Sequence, residues 1–238
     1  PGPARFKATA HQLAHVLVSQ AAPDAPAPFE EAVATWLGET ALARATGASL
    51  PAHELLPARH PARTLLSPGI GSARSDAAFL RYVTEVAGLP MGFMADVLAA
   101  LPRHAEEARR NGRSPVEASA SAVAEALDEA LSHHGLSLAE AVLGAQAWSL
   151  EQDLRRLDRR ASVDAEMDRL PEETTFSPGD LPAFAQRRYG VALPQGGVRL
   201  AFEPGSALSG TAVALFDDGT VRRFPLQGAR DPVTLPAS

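Results

Sequence analysis

Apolar residues recur at helical spacing along most of the chain up to about residue 160. One stripe stands at positions i, i+4, i+7 and i+8, which places its side chains on one face of a helix: Phe29, Val33, Trp36 and Leu37. Gly47 suits the position just after the end of that helix. The same periodicity predicts further helices over residues 10–20, 75–86, 91–101, 115–131 and 138–157, with a continuation of the last one towards Leu170.

Two helix starts carry a hydroxyl residue followed three positions later by glutamate. Ser114 with Glu117 and Ser137 with Glu140 have this spacing, in which each side chain can bond to the backbone amide of the other residue. These capping boxes predict helices that begin at residues 115 and 138.

Two other signals predict interruptions of helical structure. Thr9 and Gln12 also have capping-box spacing, so the first helix is expected to begin near residue 10, after a non-helical lead-in over residues 1–8. Pro102 is expected to break or restart the helix over residues 91–101, because proline lacks the amide that the helix requires.

The character of the chain changes after Pro171, where strand-like runs replace helical periodicity. These runs cover residues 198–203, 211–216 and 220–226, and the Asp-Asp-Gly sequence at 217–219 predicts a hairpin between the last two. A short helix is expected over residues 181–189, and the tail after Gln227 is expected to be loose.

The whole pattern predicts a mainly α protein. A multi-helix, bundle-like domain is expected over residues 1–170. A small C-terminal α+β module over residues 171–238, with a short helix and a two- or three-stranded antiparallel sheet, is expected to pack on it.

Composition narrows the class of protein. The 238 residues include no cysteine, which excludes disulfides, thiolate metal sites and a cysteine nucleophile. The formal net charge of −6 argues against a surface built throughout for nucleic acid. Arginine supplies nearly all the basic residues, a bias typical of a GC-rich, bacterial coding sequence. Because the sequence shows neither a signal segment nor an apolar stretch of membrane-spanning length, we expect a cytoplasmic protein with no membrane association.

His11 and His15 are the first of two ligand candidates. They stand four residues apart on a predicted helix, so both rings project from the same face. The residues between them are Gln-Leu-Ala, whereas the zinc-protease pattern requires a glutamate there. No third ligand is apparent near them in the sequence, so the pattern favours ordinary helix histidines, and no metal or cofactor is predicted.

Residues 48–72 form the second candidate region, a proline-rich connection of unusual length. Its Gly-rich end leads into a helix, where the amides near Ser72 and the Arg74 side chain could hold an anion. The spacing matches neither a dinucleotide nor a P-loop motif. The sequence leaves open whether this segment is a functional site or a connector.

A basic cluster near the end of the last predicted helix is the candidate interaction surface. It consists of Arg155, Arg156, Arg159 and Arg160. Interspersed aspartates favour a solvated face, and an acidic protein partner is the second interpretation.

No catalytic residue can be identified from these patterns. We therefore expect a non-catalytic interaction protein, an adaptor, regulator or assembly component whose helical surfaces bind another protein or a second copy of the chain. Two alternatives stay open. One is an enzyme or small-ligand-binding protein with a site near residues 48–75. The other is a nucleic-acid-associated protein that uses Arg109, Arg110 and Arg113 with the arginines of residues 155–160.

Overall fold

The computed structural model describes residues 2–47, 73–156, 168–169, 189–190, 198–200, 210–216, 218–226 and 233–235. These residues form six α-helices, one π-helical turn and six short strands, which confirms a mainly α protein with a small strand-containing part near its C-terminus. They fall into two compact units. The first holds five helices and the start of the sixth, and the second holds the rest of the sixth helix and the strands. The predicted domain boundary near residue 170 lies outside the described residues.

The elements are numbered here in chain order. The helices are α1 (Pro3–Ala21), α2 (Ala27–Thr46), α3 (Ala73–Arg81), α4 (Phe93–Arg110), α5 (Pro115–Ser132) and α6 (Leu138–Arg156), and the π-helical turn Tyr82–Val86 continues α3. The strands are β1 (Asp168–Arg169), β2 (Tyr189–Gly190), β3 (Val198–Leu200), β4 (Gly210–Leu215), β5 (Val221–Leu226) and β6 (Val233–Leu235). No helix among the described residues is long and apolar enough to cross a membrane.

The first helix is longer than the sequence indicated. It begins at Pro3, behind Gly2, because proline supplies a suitable φ at the first helical position and needs no amide partner there. Thr9 lies inside α1, where its hydroxyl donates to the carbonyl of Arg5 at 2.9 Å. The predicted cap at Thr9 and the non-helical lead-in are therefore wrong.

Pro102 does not interrupt α4, contrary to the prediction. The helix runs through it from Phe93 to Arg110. Buried residues continue on both sides of the proline, among them Val97, Leu101 and Ala105. A proline inside a helix costs about 3 kcal/mol, and the continuous packing of this face against α5 offsets that cost.

Both capping boxes form as predicted. Ser114 Oγ accepts from the amide of Glu117 at 3.4 Å, and the amide of Ser114 donates back to Glu117 Oε2 at 3.0 Å. Ser137 and Glu140 repeat the arrangement at 3.2 and 3.0 Å. In each box the serine holds the pKa of the glutamate below its ordinary value of 4.5, because its hydroxyl and amide donate to the charged carboxylate.

A depressed folded-state pKa implies acid sensitivity of these helix starts. Each carboxylate stabilises the fold above about pH 4.5, and that contribution is lost as the pH falls through the lower folded-state pKa. We expect the double variant Glu117→Gln, Glu140→Gln to be less stable at neutral pH and to lose less stability on acidification than the parent. Urea unfolding at a series of pH values measures both quantities. The variant Glu107→Gln, at an exposed carboxylate on α4, is the control, and an identical pH profile for parent and double variant would contradict the prediction.

The core of the first unit surrounds Trp36. This side chain is 1% exposed. Its indole Nε1 donates to Thr84 Oγ1 at 3.4 Å, a bond that joins α2 to the π-helical turn. Thr84 Oγ1 in turn donates to the Leu80 carbonyl at 3.0 Å. Trp36, which the sequence placed in an apolar helical stripe, therefore belongs to the core. Its polar atom is satisfied by a residue of the π-helical turn.

The strands agree only in part with the sequence pattern. β4 and β5 pair antiparallel through the predicted hairpin, with Leu215 opposite Val221. β3 pairs antiparallel with β6, which lies in the tail that was expected to be loose. Helix α6 cannot extend to residue 170, because β1 at 168–169 pairs in parallel with β2. Tyr189, the predicted end of a short helix, belongs to β2, and the preceding residues of that prediction lie outside the described part.

Candidate functional site

Helix α1 carries two features with functional character: a polar cluster where it contacts α2, and an exposed apolar face on its other side. Its buried residues are small, with Ala14 and Val18 each 1% exposed. Gly38 on α2 faces the same contact: a Cβ placed there would lie 3.2 Å from both His11 Cβ and the Lys7 carbonyl oxygen. Small residues on both helices therefore allow α1 and α2 to approach closely enough for polar side chains at the edge of the contact to meet.

Two histidines and two glutamates meet at that edge. His15 Nδ1 lies 2.8 Å from Glu30 Oε1, and the Nε2 atoms of His15 and His11 are 3.2 Å apart. The two oxygens of Glu31 face the two rings, with Oε2 3.3 Å from His15 Nε2 and Oε1 3.6 Å from His11 Nε2. All four side chains are partly exposed, between 23% and 41%. We call these four residues the His–Glu cluster.

The contact with Glu30 fixes the chemistry of the His15 ring. A carboxylate can only accept, so Nδ1 of His15 must carry the proton in this contact. In the neutral ring, Nε2 then presents a lone pair towards His11 and Glu31. Within the described residues, His11, His15 and Glu31 form the group whose donor atoms are close enough to share a metal ion.

The sequence identified only half of this cluster. It correctly placed His11 and His15 on the same face of one helix, and the structure brings their rings together at a centroid distance of 4.8 Å. It missed Glu31, which comes from α2. Glu30 and Glu31 stood out in the sequence only as acidic residues in the first turn of a helix, so no local signal linked them to the histidines.

The opposite side of α1 is apolar and exposed. Its large hydrophobic side chains stand at helical spacing and are about half accessible: Phe6 at 44%, Leu13 at 57%, Val16 at 49% and Leu17 at 50%. Leu13 and His15 are two positions apart, about 160° around the helix. The apolar face and the His–Glu cluster therefore lie on different sides of the same helix.

A second histidine contact joins α4 and α5. His104 Nε2 lies 2.8 Å from Glu129 Oε2, and Arg103 also donates to that carboxylate. The two donors hold the pKa of Glu129 below its ordinary value. His104 Nδ1 lies 3.3 Å from Glu125 Oε2 but has no hydrogen bond. Arg103 and His104 of α4 thus both contact one carboxylate of α5, and the group links the two helices.

The remaining sequence candidates are less informative. Arg155 and Arg156 form the end of α6, while Arg159 and Arg160 lie outside the described residues. Arg74 lies in the first turn of α3, and Ser72 precedes the described part of that region. The arginine surface and the anion site stay predictions from the sequence.

No protein family model, curated protein sequence or solved structure matches this chain.

Proposed function

We propose that this protein is a non-catalytic interaction protein that associates through the apolar face of α1, and that the occupant of this face is a second copy of the chain. The observation that carries the proposal is the concentration of exposed hydrophobic side chains on one helix. Of the six large hydrophobic side chains that are exposed in the described residues, four belong to α1. Contiguous exposed apolar surface marks interaction sites, whereas isolated exposed residues need no explanation.

The spacing of these residues suits a helical partner. Phe6 and Leu13 are seven residues apart, and Val16 follows three positions later, as in the a and d positions of a heptad. This seam fits the apolar stripe of another helix.

The absence of charge favours self-association. Residues 8–21 include no aspartate, glutamate, lysine or arginine, so the part of this face around Leu13, Val16 and Leu17 offers nothing for a charged partner to pair with, and only Arg5 borders its Phe6 end. Nothing on it repels an identical face either. A two-fold pair uses the same patch on both copies, and an antiparallel arrangement centred on Leu13 would bring two such seams together.

The expected association is weak. Complete burial of a Val, Leu or Phe side chain contributes about 1.5–3 kcal/mol, so completing the burial of eight half-exposed side chains from two copies gives roughly 6–12 kcal/mol. Association itself costs about 4–15 kcal/mol. We therefore expect a dimer that forms at high protein concentration and dissociates on dilution.

Sedimentation velocity from low micromolar to near-millimolar protein tests this proposal. The parent chain should shift from monomer to dimer, and the variant Leu13→Glu, Leu17→Glu should stay monomeric with unchanged helical content. Val116→Glu is the matched control, because Val116 is 71% exposed on α5 and away from the proposed face. A parent that stays monomeric throughout would refute the proposal, as would a dimer that persists in the double variant.

The nucleic-acid alternative has less support from the described arginines. Arg109 lies 3.1 Å from Asp24, Arg110 lies 3.1 Å from Glu106, and Arg113 lies 3.6 Å from Glu125. A phosphate would have to compete with a carboxylate at each of them.

A further inference from the structure

We propose that His11, His15 and Glu31 form a binding site for a divalent ion of the zinc class, a site independent of the apolar face. The donor atoms are separated by about the distances found in a metal site. In a tetrahedral zinc site, ligands about 2.0–2.1 Å from the metal stand about 3.3–3.4 Å from one another. The separations here are 3.2 Å between the two Nε2 atoms, and 3.3 and 3.6 Å from these nitrogens to Glu31 oxygens. The three side chains therefore present donor atoms at about ligand spacing, with Glu31 Oε2 facing His15 and Glu31 Oε1 facing His11.

The orientation of the His15 ring also supports the proposal. Histidines that ligate metals commonly donate their other ring nitrogen to a carboxylate, which fixes the tautomer and increases the basicity of the ligating nitrogen. Glu30 stands in that position, 2.8 Å from His15 Nδ1. The arrangement therefore supplies three direct ligands and one carboxylate that positions a ligand.

The electrostatics of the cluster support it as well. His15 Nε2, His11 Nε2 and the two Glu31 oxygens, all of which can act as acceptors, each lie within 3.6 Å of another of these atoms across the contact. Such convergence is stable only when a proton or a cation lies between the acceptors. The competing explanation is a proton-bridged hydrogen-bond network with no metal, and the experiment below separates the two.

The donor set selects the class of ion. Imidazole nitrogens suit zinc, copper, nickel and iron, whereas calcium and magnesium prefer oxygen ligands. The donor spacing is closer to a tetrahedron than to an octahedral face, in which adjacent ligands at bond lengths of about 2.0–2.1 Å stand about 2.8–3.0 Å apart. Because the side chains are partly exposed, water can complete the coordination.

The test is calorimetric titration of tag-free, chelator-treated full-length protein with Zn²⁺, repeated with Co²⁺ to record the visible absorption of tetrahedral cobalt. The parent should bind one Zn²⁺ per chain, and saturation should raise the midpoint of thermal unfolding by roughly 5–10 °C at 100 times the dissociation constant. Glu31→Gln, which preserves side-chain size, should weaken binding by about 100-fold or more, and Glu30→Gln by about 10- to 100-fold.

Two matched controls separate this site from adventitious binding. Glu39→Gln removes a carboxylate that lies on α2, as Glu31 does, and faces α1. Glu39 pairs with Lys7 and not with the histidines. His134→Gln removes an exposed histidine beyond the end of α5. Both variants should bind Zn²⁺ as the parent does. Absence of stoichiometric binding by the parent would overturn the proposal and leave the hydrogen-bond network, and so would binding that Glu31→Gln does not weaken.

Discussion

Replacement of Trp36 by alanine is expected to lower the free energy of unfolding by about 3–5 kcal/mol, among the largest effects of any single substitution in this chain. The side chain is 1% exposed, so its removal would leave a cavity between α2 and the π-helical turn. The loss also leaves Thr84 Oγ1 without the indole donor that lies 3.4 Å away. Urea unfolding monitored by circular dichroism measures the change.

The variant Trp36→Phe separates the two contributions. It retains most of the buried apolar volume and removes the hydrogen bond, so it should cost clearly less than Trp36→Ala. The chain has two tryptophans, so a Trp148→Phe background makes Trp36 the sole indole reporter. Its emission should be that of a buried indole and should shift on unfolding. A loss below about 1 kcal/mol in Trp36→Ala would contradict the assigned burial.

Gly38→Ala is expected to destabilise the fold although alanine is the better helix former. Alanine gains up to about 1 kcal/mol in helix propensity. The added Cβ would lie 3.2 Å from the Lys7 carbonyl oxygen and from His11 Cβ, atoms on or next to the α1 backbone that cannot rotate away. Overpacking of this kind costs about 1–3 kcal/mol. We expect a net loss of stability, measured by urea unfolding, because α1 and α2 must separate.

Gly92 offers the matched control for this substitution. It has helical backbone angles, and a Cβ there would meet nothing within 4 Å. Gly92→Ala should therefore be neutral or stabilising by about 0.4–1 kcal/mol.

The Gly38 variant should also bind Zn²⁺ more weakly if the proposed site is correct, because separation of the helices moves Glu31 away from the histidines. Equal stability of Gly38→Ala and the parent would show that the two helices do not need this close approach.

The features predicted correctly depend on residues close together in sequence. The capping boxes at Ser114 and Ser137 each span four residues, and their geometry follows from helix formation alone. The β4–β5 hairpin is likewise set by a short turn sequence. The same local rule wrongly predicted a cap at Thr9. A capping box forms only where a helix begins, and this helix begins earlier, at Pro3.

The features that were missed depend on contacts between distant parts of the chain. Glu31 is 16 residues beyond His15 and comes from a different helix, so the third donor could be identified only after α1 and α2 were placed side by side. The β3–β6 pairing joins Val198 to Leu235, and no local signal fixes a register over such a separation.

The exposure of the apolar face of α1 also could not be predicted from the sequence. Periodicity places Leu13, Val16 and Leu17 near one another on the helix, but it does not show whether that side is covered. The structure buries Ala14 and Val18 instead, because the close approach to α2 at Gly38 leaves room only for small side chains.

The small size of the buried residues on α1 has a dynamic consequence. Within the helix, only Ala14 and Val18 are buried, whereas α5 has seven buried residues. Detachment of α1 would withdraw only two buried side chains of its own, so its free energy of local opening should be lower than that of α5. The His–Glu cluster links α1 to α2, whether as a hydrogen-bond network or through a shared ion. Its contacts should therefore lower the frequency with which a helix with few buried side chains of its own detaches.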